Sequence, residues 1–254
     1  MAAEVLYEVS DGVAIVTINR PEKRNALNLA ACEALQDCWR RIEDDQGVRV
    51  AVVTGAGDKA FCAGFDITEK NVDGRPRTED FTPRPGTRPV TGKPLIAAVN
   101  GLAMAAGMAL VEACDLCVAA EHAWFSLPEV RLGIGLEPFV QSLWTLPQRV
   151  LFELLVTGDR LTAERAYQLG FVNRIAPASD LMGTALTLAR TIADNAPLVV
   201  LASKELIYGG QRAMGMDRAL QAADRAFAPV SASTDAKEGY RAWAEKRRPV
   251  WQAK

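Results

Sequence analysis

Two glutamates eight residues apart, Glu129 and Glu137, lie downstream of two segments rich in small residues, Cys62-Ala63-Gly64-Phe65-Asp66 and Asn100-Gly101-Leu102-Ala103-Met104-Ala105-Ala106-Gly107. Small residues leave backbone N–H groups uncovered, so such segments can hold an oxyanion. Carboxylates move protons. Together they point to chemistry on a carbonyl compound, with an enolate-like oxyanion stabilised beside an acid or base. The single histidine, His122, has no partner set for a metal site or a histidine-activated nucleophile. Catalysis would therefore rest on carboxylates and backbone.

At 254 residues the chain can bury a sizeable core, and it reads as one domain with a small appendage. A net charge of −2 argues against nucleic acid or an anionic membrane as partner. The first residues show no basic region followed by an apolar run, so no signal peptide is expected. Charges interrupt every apolar stretch well before the roughly 18 residues that a membrane span needs. Five cysteines, an odd number, read as reduced thiols of a cytoplasmic protein. Cys114 and Cys117 form a C-x-x-C, but no second pair completes a zinc site. They read as apolar thiols of a buried strand over Asp115–Ala119. Cys62 has no neighbouring histidine to activate it as a nucleophile.

The elements that must position these groups can be read from periodicity. Tyr7–Asn19 alternates as a hairpin turning at Asp11-Gly12. Asn28 is an N-cap for a helix over Leu29–Asp45, with Ala31, Leu35, Cys38 and Ile42 on one stripe. Val50–Thr54, Leu95–Val99 and Leu116–Ala119 read as buried strands, Phe61–Asp66 as a loop and Ala106–Ala113 as a helix. Four prolines between residues 70 and 93 argue for a mobile flap. Strand, helix and strand recur, which predicts an α/β architecture with mostly parallel strands. From Leu143 onward the pattern is helical: Leu146–Val156, Thr162–Leu169, Leu181–Asn195, Leu198–Tyr208, Met214–Phe227 and Thr234–Lys246. Pro197 marks a boundary between a core of residues 1–196 and a helical region of residues 197–254. Asp115 is expected to cap or pair locally.

Several segments, in order, resemble the enoyl-CoA hydratase/isomerase (crotonase) family over nearly the whole chain. They are Ile18-Asn19-Arg20-Pro21 with Asn25-Ala26-Leu27, Lys59–Ile67, Lys93–Gly101, Cys114-Asp115, Phe125–Gly133, Thr157-Gly158, Glu238-Gly239 and Glu245-Lys246-Arg247. The resemblance implies a spiral of ββα turns with a C-terminal helical region that assembles trimers, or hexamers built from them. It implies an acyl-CoA thioester substrate and no cofactor or metal beyond the coenzyme A of the substrate. The thioester oxygen would be held by the amides of Phe65 and Ala106, the second at a helix start. Glu129 and Glu137 would be the acid/base groups. Lys23 and Arg24, together with Lys246-Arg247-Arg248, would meet the CoA phosphates. Ala26, Ala63, Asp66 and Ile67 would border the nucleotide.

Two departures from the family pattern stand out. Alanine occupies position 106, where glycine is usual, and Ala109 stands where hydratases carry a second glutamate. Glu137, or Glu112 one helical turn beyond Ala109, is the candidate to replace that acid. The reading is hydration or double-bond isomerisation of an unsaturated acyl-CoA. The alternatives are a decarboxylase, hydrolase or dehalogenase of an acyl-CoA, or a non-catalytic acyl-CoA-binding protein. Trp243 and Trp251 read as packing residues.

Overall fold

Two β-branched, apolar-rich runs form the first hairpin. Strands β1 (Val5–Ser10) and β2 (Val13–Ile18) pair antiparallel around Asp11 and Gly12, both at positive φ as a tight primed turn requires. The computed structural model describes residues 3–68 and 90–251. The expected flap therefore lies, over residues 69–89, outside the described residues.

The continuous apolar runs become strands buried along their length: β3 (Val50–Gly55), β5 (Leu95–Val99) and β7 (Leu116–Ala120). They join the hairpin and β10 (Arg174–Ala176) in a six-stranded sheet ordered β1-β2-β3-β5-β7-β10, parallel everywhere except at the hairpin. Each central strand is followed by a short one in a second sheet. These are β4 (Ala60–Cys62), β6 (Leu102–Met104) and β8 (Trp124–Ser126), with β9 (Leu161–Thr162) at the edge. The chain thus alternates between two sheets, one strand in each per turn, which is the ββα spiral that the resemblance implies. Of the three short strands, β4 overlaps the segment Phe61–Asp66 that reads as a loop, and the sequence marks none of the three as a strand, because three residues leave no period to detect.

Helix α1 (Leu29–Asp44) begins where the cap residue predicts, the Asn28 side chain accepting from Ala31 N at 2.9 Å. It buries Ala31, Cys32, Leu35, Cys38, Trp39 and Ile42, the expected stripe widened by two residues. Helix α2 (Ala106–Glu112) follows β6 and is buried throughout. The C-terminal half adds α3 (Ser142–Thr145), α4 (Gln148–Thr157), α5 (Ala163–Gln168), α6 (Leu181–Ala193), α7 (Pro197–Ala213), α8 (Met216–Ala232) and α9 (Asp235–Ala244). Pro197 is the first residue of α7, a position where proline costs no hydrogen bond.

Contacts cross the expected boundary at that proline. Asp115 does not pair locally. It accepts from Lys204 Nζ on α7 at 2.9 Å, from Tyr208 Oη at 2.9 Å and from Leu95 N at 2.7 Å. A short side chain at the start of a core strand can reach the helix packed beside that strand, and sequence separation hides this. Among the described residues no single helix is long and apolar enough to cross a membrane.

Candidate active site

The site follows from sheet register. Strands β4, β6 and β8 are parallel neighbours, with Ala60 opposite Leu102 and Met104 opposite Ser126. Their carboxyl ends therefore release three segments side by side: Ala63–Asp66 after β4, Ala105–Gly107 after β6 and Leu127–Glu129 after β8. Ligands of parallel sheets commonly bind at such an edge. Hydrogen bonds fix the arrangement: Ala105 N donates to Ser126 O at 3.1 Å.

The first two segments are pressed together. A methyl group on Gly64, which sits at φ +94, would lie 3.6 Å from Ala106 N and 3.2 Å from Met104 O. A methyl group on Gly107 would overlap the carbonyl oxygen of Cys62. Only glycine permits this approach. It brings the Gly64–Phe65 peptide against the start of α2, where first-turn N–H groups lack intrahelical acceptors. Alanine at 106 is compatible with this turn, as expected. The demanding conformation falls one residue earlier, on Ala105, with φ 54 and ψ −125.

A residue other than glycine held there stores about 1–3 kcal/mol of strain. Ala105→Gly should therefore stabilise the fold by about 1 kcal/mol after the entropy that glycine adds to the unfolded chain. Urea denaturation checks this. A loss of stability would mean that packing of the Ala105 methyl outweighs the strain.

The third segment carries Glu129 on the 3-10 turn Pro128–Leu132. Its carboxyl is buried, and Oε2 has no hydrogen-bond partner among the described residues. Burial disfavours the charged form and lifts its pKa from the usual 4.5 to about 8. Glu112, the last residue of α2, has the same character. It is buried, its Oε1 accepts from the Ser142 hydroxyl, and its Oε2 is unpartnered among the described residues. Burial lifts it to about 8 against the Ser142 hydrogen bond, which favours ionisation. Ala109 is fully buried and brings no acid. Glu137 opens the 3-10 turn Glu137–Gln141, and the position of its side chain lies outside what is described.

The two buried carboxyls make stability depend on pH. Folded values near 8 against 4.5 in the unfolded chain mean that the folded state binds more protons in that interval. Stability is then highest below pH 4.5 with respect to these groups, and falls as pH rises toward 8. The loss is on the order of 4–5 kcal/mol per carboxyl. Chemical denaturation at pH 6 and pH 9 should show that Glu112→Gln and Glu129→Gln each remove part of this loss. An unchanged slope in both variants would contradict the burial account.

Around the rim, the loop carrying Lys23, Arg24 and Ala26 is stitched to the Ala63–Ile67 loop. Ala63 N donates to Arg24 O at 3.1 Å, Leu27 N to Gly64 O at 2.8 Å and Asp66 N to Leu27 O at 2.9 Å. Arg24 and Asn25 both take positive φ, and Asn25 anchors the loop through Ala56 O, Ala60 O and Arg20 N. Lys23 and Arg24 are exposed, while Ala63 and Ile67 are half-buried. Asp66 is buried and its carboxylate is engaged. Arg20 Nη2 donates to it at 3.0 Å, and Thr68 donates through both its amide and its hydroxyl. Burial opposes ionisation, but the Thr68 and Arg20 contacts outweigh it and hold the Asp66 carboxyl below its usual value. Its part is to fix the loop.

Arg247 is likewise occupied, by Glu238 and Glu245. Lys246, Arg247 and Arg248 are all exposed. Burial pushes the Cys62 thiol up to about 12 and raises Cys114 and Cys117 as well, so the C-x-x-C is apolar packing.

Comparison with known proteins places the chain in a family. The family model for enoyl-CoA hydratase/isomerase matches residues 8–254. The (E)-benzylidenesuccinyl-CoA hydratase of Thauera aromatica is 35% identical over 258 aligned positions, covering 98% of each chain. A carnitinyl-CoA dehydratase of Salmonella typhi is 37% identical over 250 positions, covering 94% of each. The solved structure of a carnitinyl-CoA dehydratase from Mycobacterium avium 104 superposes with a TM-score of 0.86 at 40% identity over the full length of both chains.

Proposed function

Because this chain belongs to the enoyl-CoA hydratase/isomerase family, we propose that it adds water across, or eliminates it to form, the C2–C3 double bond of a 2-enoyl-CoA thioester. The observation that carries this reading is the convergence of three strand exits at one sheet edge. Two of them supply backbone amides and the third a buried carboxyl that is neutral at pH 7.

The amides of Phe65 and Ala106 receive the thioester oxygen. As the enolate forms, negative charge grows on that oxygen, and each donor contributes roughly 2.7–4 kcal/mol to the transition state. Helix α2 has only seven residues, so the N–H groups matter more than any dipole. Glu129, protonated below about 8, delivers its proton to the α-carbon of the enolate. In the reverse direction its carboxylate takes that proton away. The role that Ala109 cannot fill is assigned to Glu112: ionised, its unpartnered Oε2 takes a proton from the water that attacks C3, and protonated, it returns that proton to the departing hydroxyl.

Lys23 and Arg24 meet the CoA phosphates from the outer loop, and the backbone of Ala26, Ala63 and Ile67 borders the nucleotide. No cofactor beyond CoA enters this chemistry, and the five free, buried thiols fit a cytoplasmic enzyme. Ala109 also favours a second reading, migration of a double bond with Glu129 as the sole shuttle or paired with Glu137, since migration requires no activated water.

A panel of enoyl-CoA thioesters followed by mass spectrometry tests the reading. Hydration adds the mass of one water, migration leaves mass unchanged, and release of carbon dioxide or free CoA would mark a decarboxylase or hydrolase.

The chain is expected to act as a homotrimer or a hexamer. Leu198, Val199, Leu206, Ile207 and Met214 on and after α7 are all more than half exposed, an apolar face too large for a free subunit. Multi-angle light scattering should give three or six times the chain mass. A concentration-independent monomer would exclude this assembly.

A further inference from the structure

We propose that the segment 245–251 after α9 is a clasp that positions Glu129, so that Arg247, Glu238 and Trp251 are positioning residues for the reaction. The inference rests on the role given to Glu129 above.

The clasp is built from few contacts. Lys246, at φ +53, turns the chain back on α9, and Arg247 N closes the turn on Ala242 O at 3.0 Å. The Arg247 guanidinium grips Glu238 with two nitrogens, at 2.6 and 3.1 Å, and Glu245 at 2.6 Å. Glu238 also accepts from Val250 N at 2.8 Å. These bonds set the Trp251 ring against the residue that ends the Glu129 turn. A methyl group on Gly133 would lie 3.0 Å from Trp251 Cζ3 and 2.7 Å from Asp235 O. On the same flank, a methyl group on Gly239 would overlap the carbonyl oxygen of Leu132, so α9 sits directly on that turn.

The opposite flank is held by the end of α4. Arg131 Nε donates to Thr157 O at 2.9 Å, and a methyl group on Gly158 would lie 3.2 Å from Pro128 Cα. The turn Pro128–Leu132 is therefore gripped on both sides. The grip has chemical weight because Oε2 of Glu129 has no hydrogen-bond partner among the described residues to fix it. Its position is inherited from the backbone of the turn. A displacement near 1 Å of a reacting group can lower rate by about 10²-fold. The Arg247 contacts hold the Glu238 carboxyl well below its ordinary value, to about 2.

The test compares Arg247→Met, Trp251→Ala and Trp251→Phe with the intact enzyme, with oligomeric state and melting temperature recorded for each. Arg247→Met and Trp251→Ala should lower kcat by about 10–100-fold with KM for the acyl-CoA within about twofold. They should also lower the pH inflection near 8 as water reaches Glu129. Trp251→Phe should restore most of kcat, since a ring again backs Gly133. A second readout needs no substrate: the loss of stability from pH 6 to pH 9 that Glu129→Gln removes should shrink in Trp251→Ala.

Unchanged kcat and inflection in both disrupting variants would overturn the clasp, as would an undiminished stability loss in Trp251→Ala. A rise in KM alone would also overturn it, by making the segment a CoA contact. If the intact enzyme turned over no enoyl-CoA, the functional reading would fall, and the stability readout would still decide the clasp.

Discussion

Replacing Glu129 with glutamine should lower kcat by about 10²–10⁴-fold, with KM for the acyl-CoA within about twofold. Glutamine keeps the volume and neutrality of the buried acid, so the fold and the thioester pocket are preserved while proton transfer is lost. The pH dependence supplies the sign. Hydration needs Glu129 protonated and Glu112 ionised, and dehydration the reverse, so kcat/KM should peak near pH 8 in both directions. Glu129 supplies the alkaline arm in hydration and the acid arm in dehydration. In Glu129→Gln the inflection belonging to this group should vanish in both directions. Undiminished turnover in the variant would remove Glu129 from the chemistry.

A large stability effect is expected where Asp115 meets Lys204. Both side chains are largely buried, and Lys204 Nζ also donates to Lys93 O at 2.8 Å. Asp115→Ala would leave the ammonium buried against one carbonyl, and would leave Tyr208 Oη and Leu95 N without the carboxylate they bond. Removing one member of a buried pair typically costs about 3–5 kcal/mol. The double variant Asp115→Leu with Lys204→Met should recover a large part of that cost, because it leaves no stranded charge. Urea denaturation of the two variants measures this directly. A loss below about 1 kcal/mol for Asp115→Ala would show that the pair behaves as a surface ion pair.

The long periodic elements were readable from sequence because their patterns are self-sufficient. Asn28 capped its helix, Asp11-Gly12 turned its hairpin, and the runs at Val50, Leu95 and Leu116 became the parallel strands. The second sheet was not readable, because three-residue strands beside glycine carry no period. That sheet is what sets the site, by releasing Phe65, Ala106 and Glu129 from adjacent strand ends. The small-residue segments and Glu129 were visible as chemistry-bearing types in a recognisable order.

The character of Glu112 was not visible. Its position on α2 could be read, but its elevated pKa comes from burial and from Ser142, thirty residues away. Nor was the backbone demand at Ala105, since an alanine announces no positive φ. Nor were the partners of the Asp66 and Arg247 side chains, Arg20 and Glu238, which lie 46 and 9 residues distant in the chain.

The central claim is that two amides and Glu129 make and quench an enolate at the thioester. The most direct measurement is exchange of the C2 hydrogen of a saturated or 3-hydroxyacyl-CoA with heavy water, followed by mass spectrometry or proton NMR. The intact protein should catalyse the exchange and Glu129→Gln should lose it almost completely, with thioester binding retained in both. Tight acyl-CoA binding with no exchange by the intact protein, or equal exchange in the variant, would contradict it.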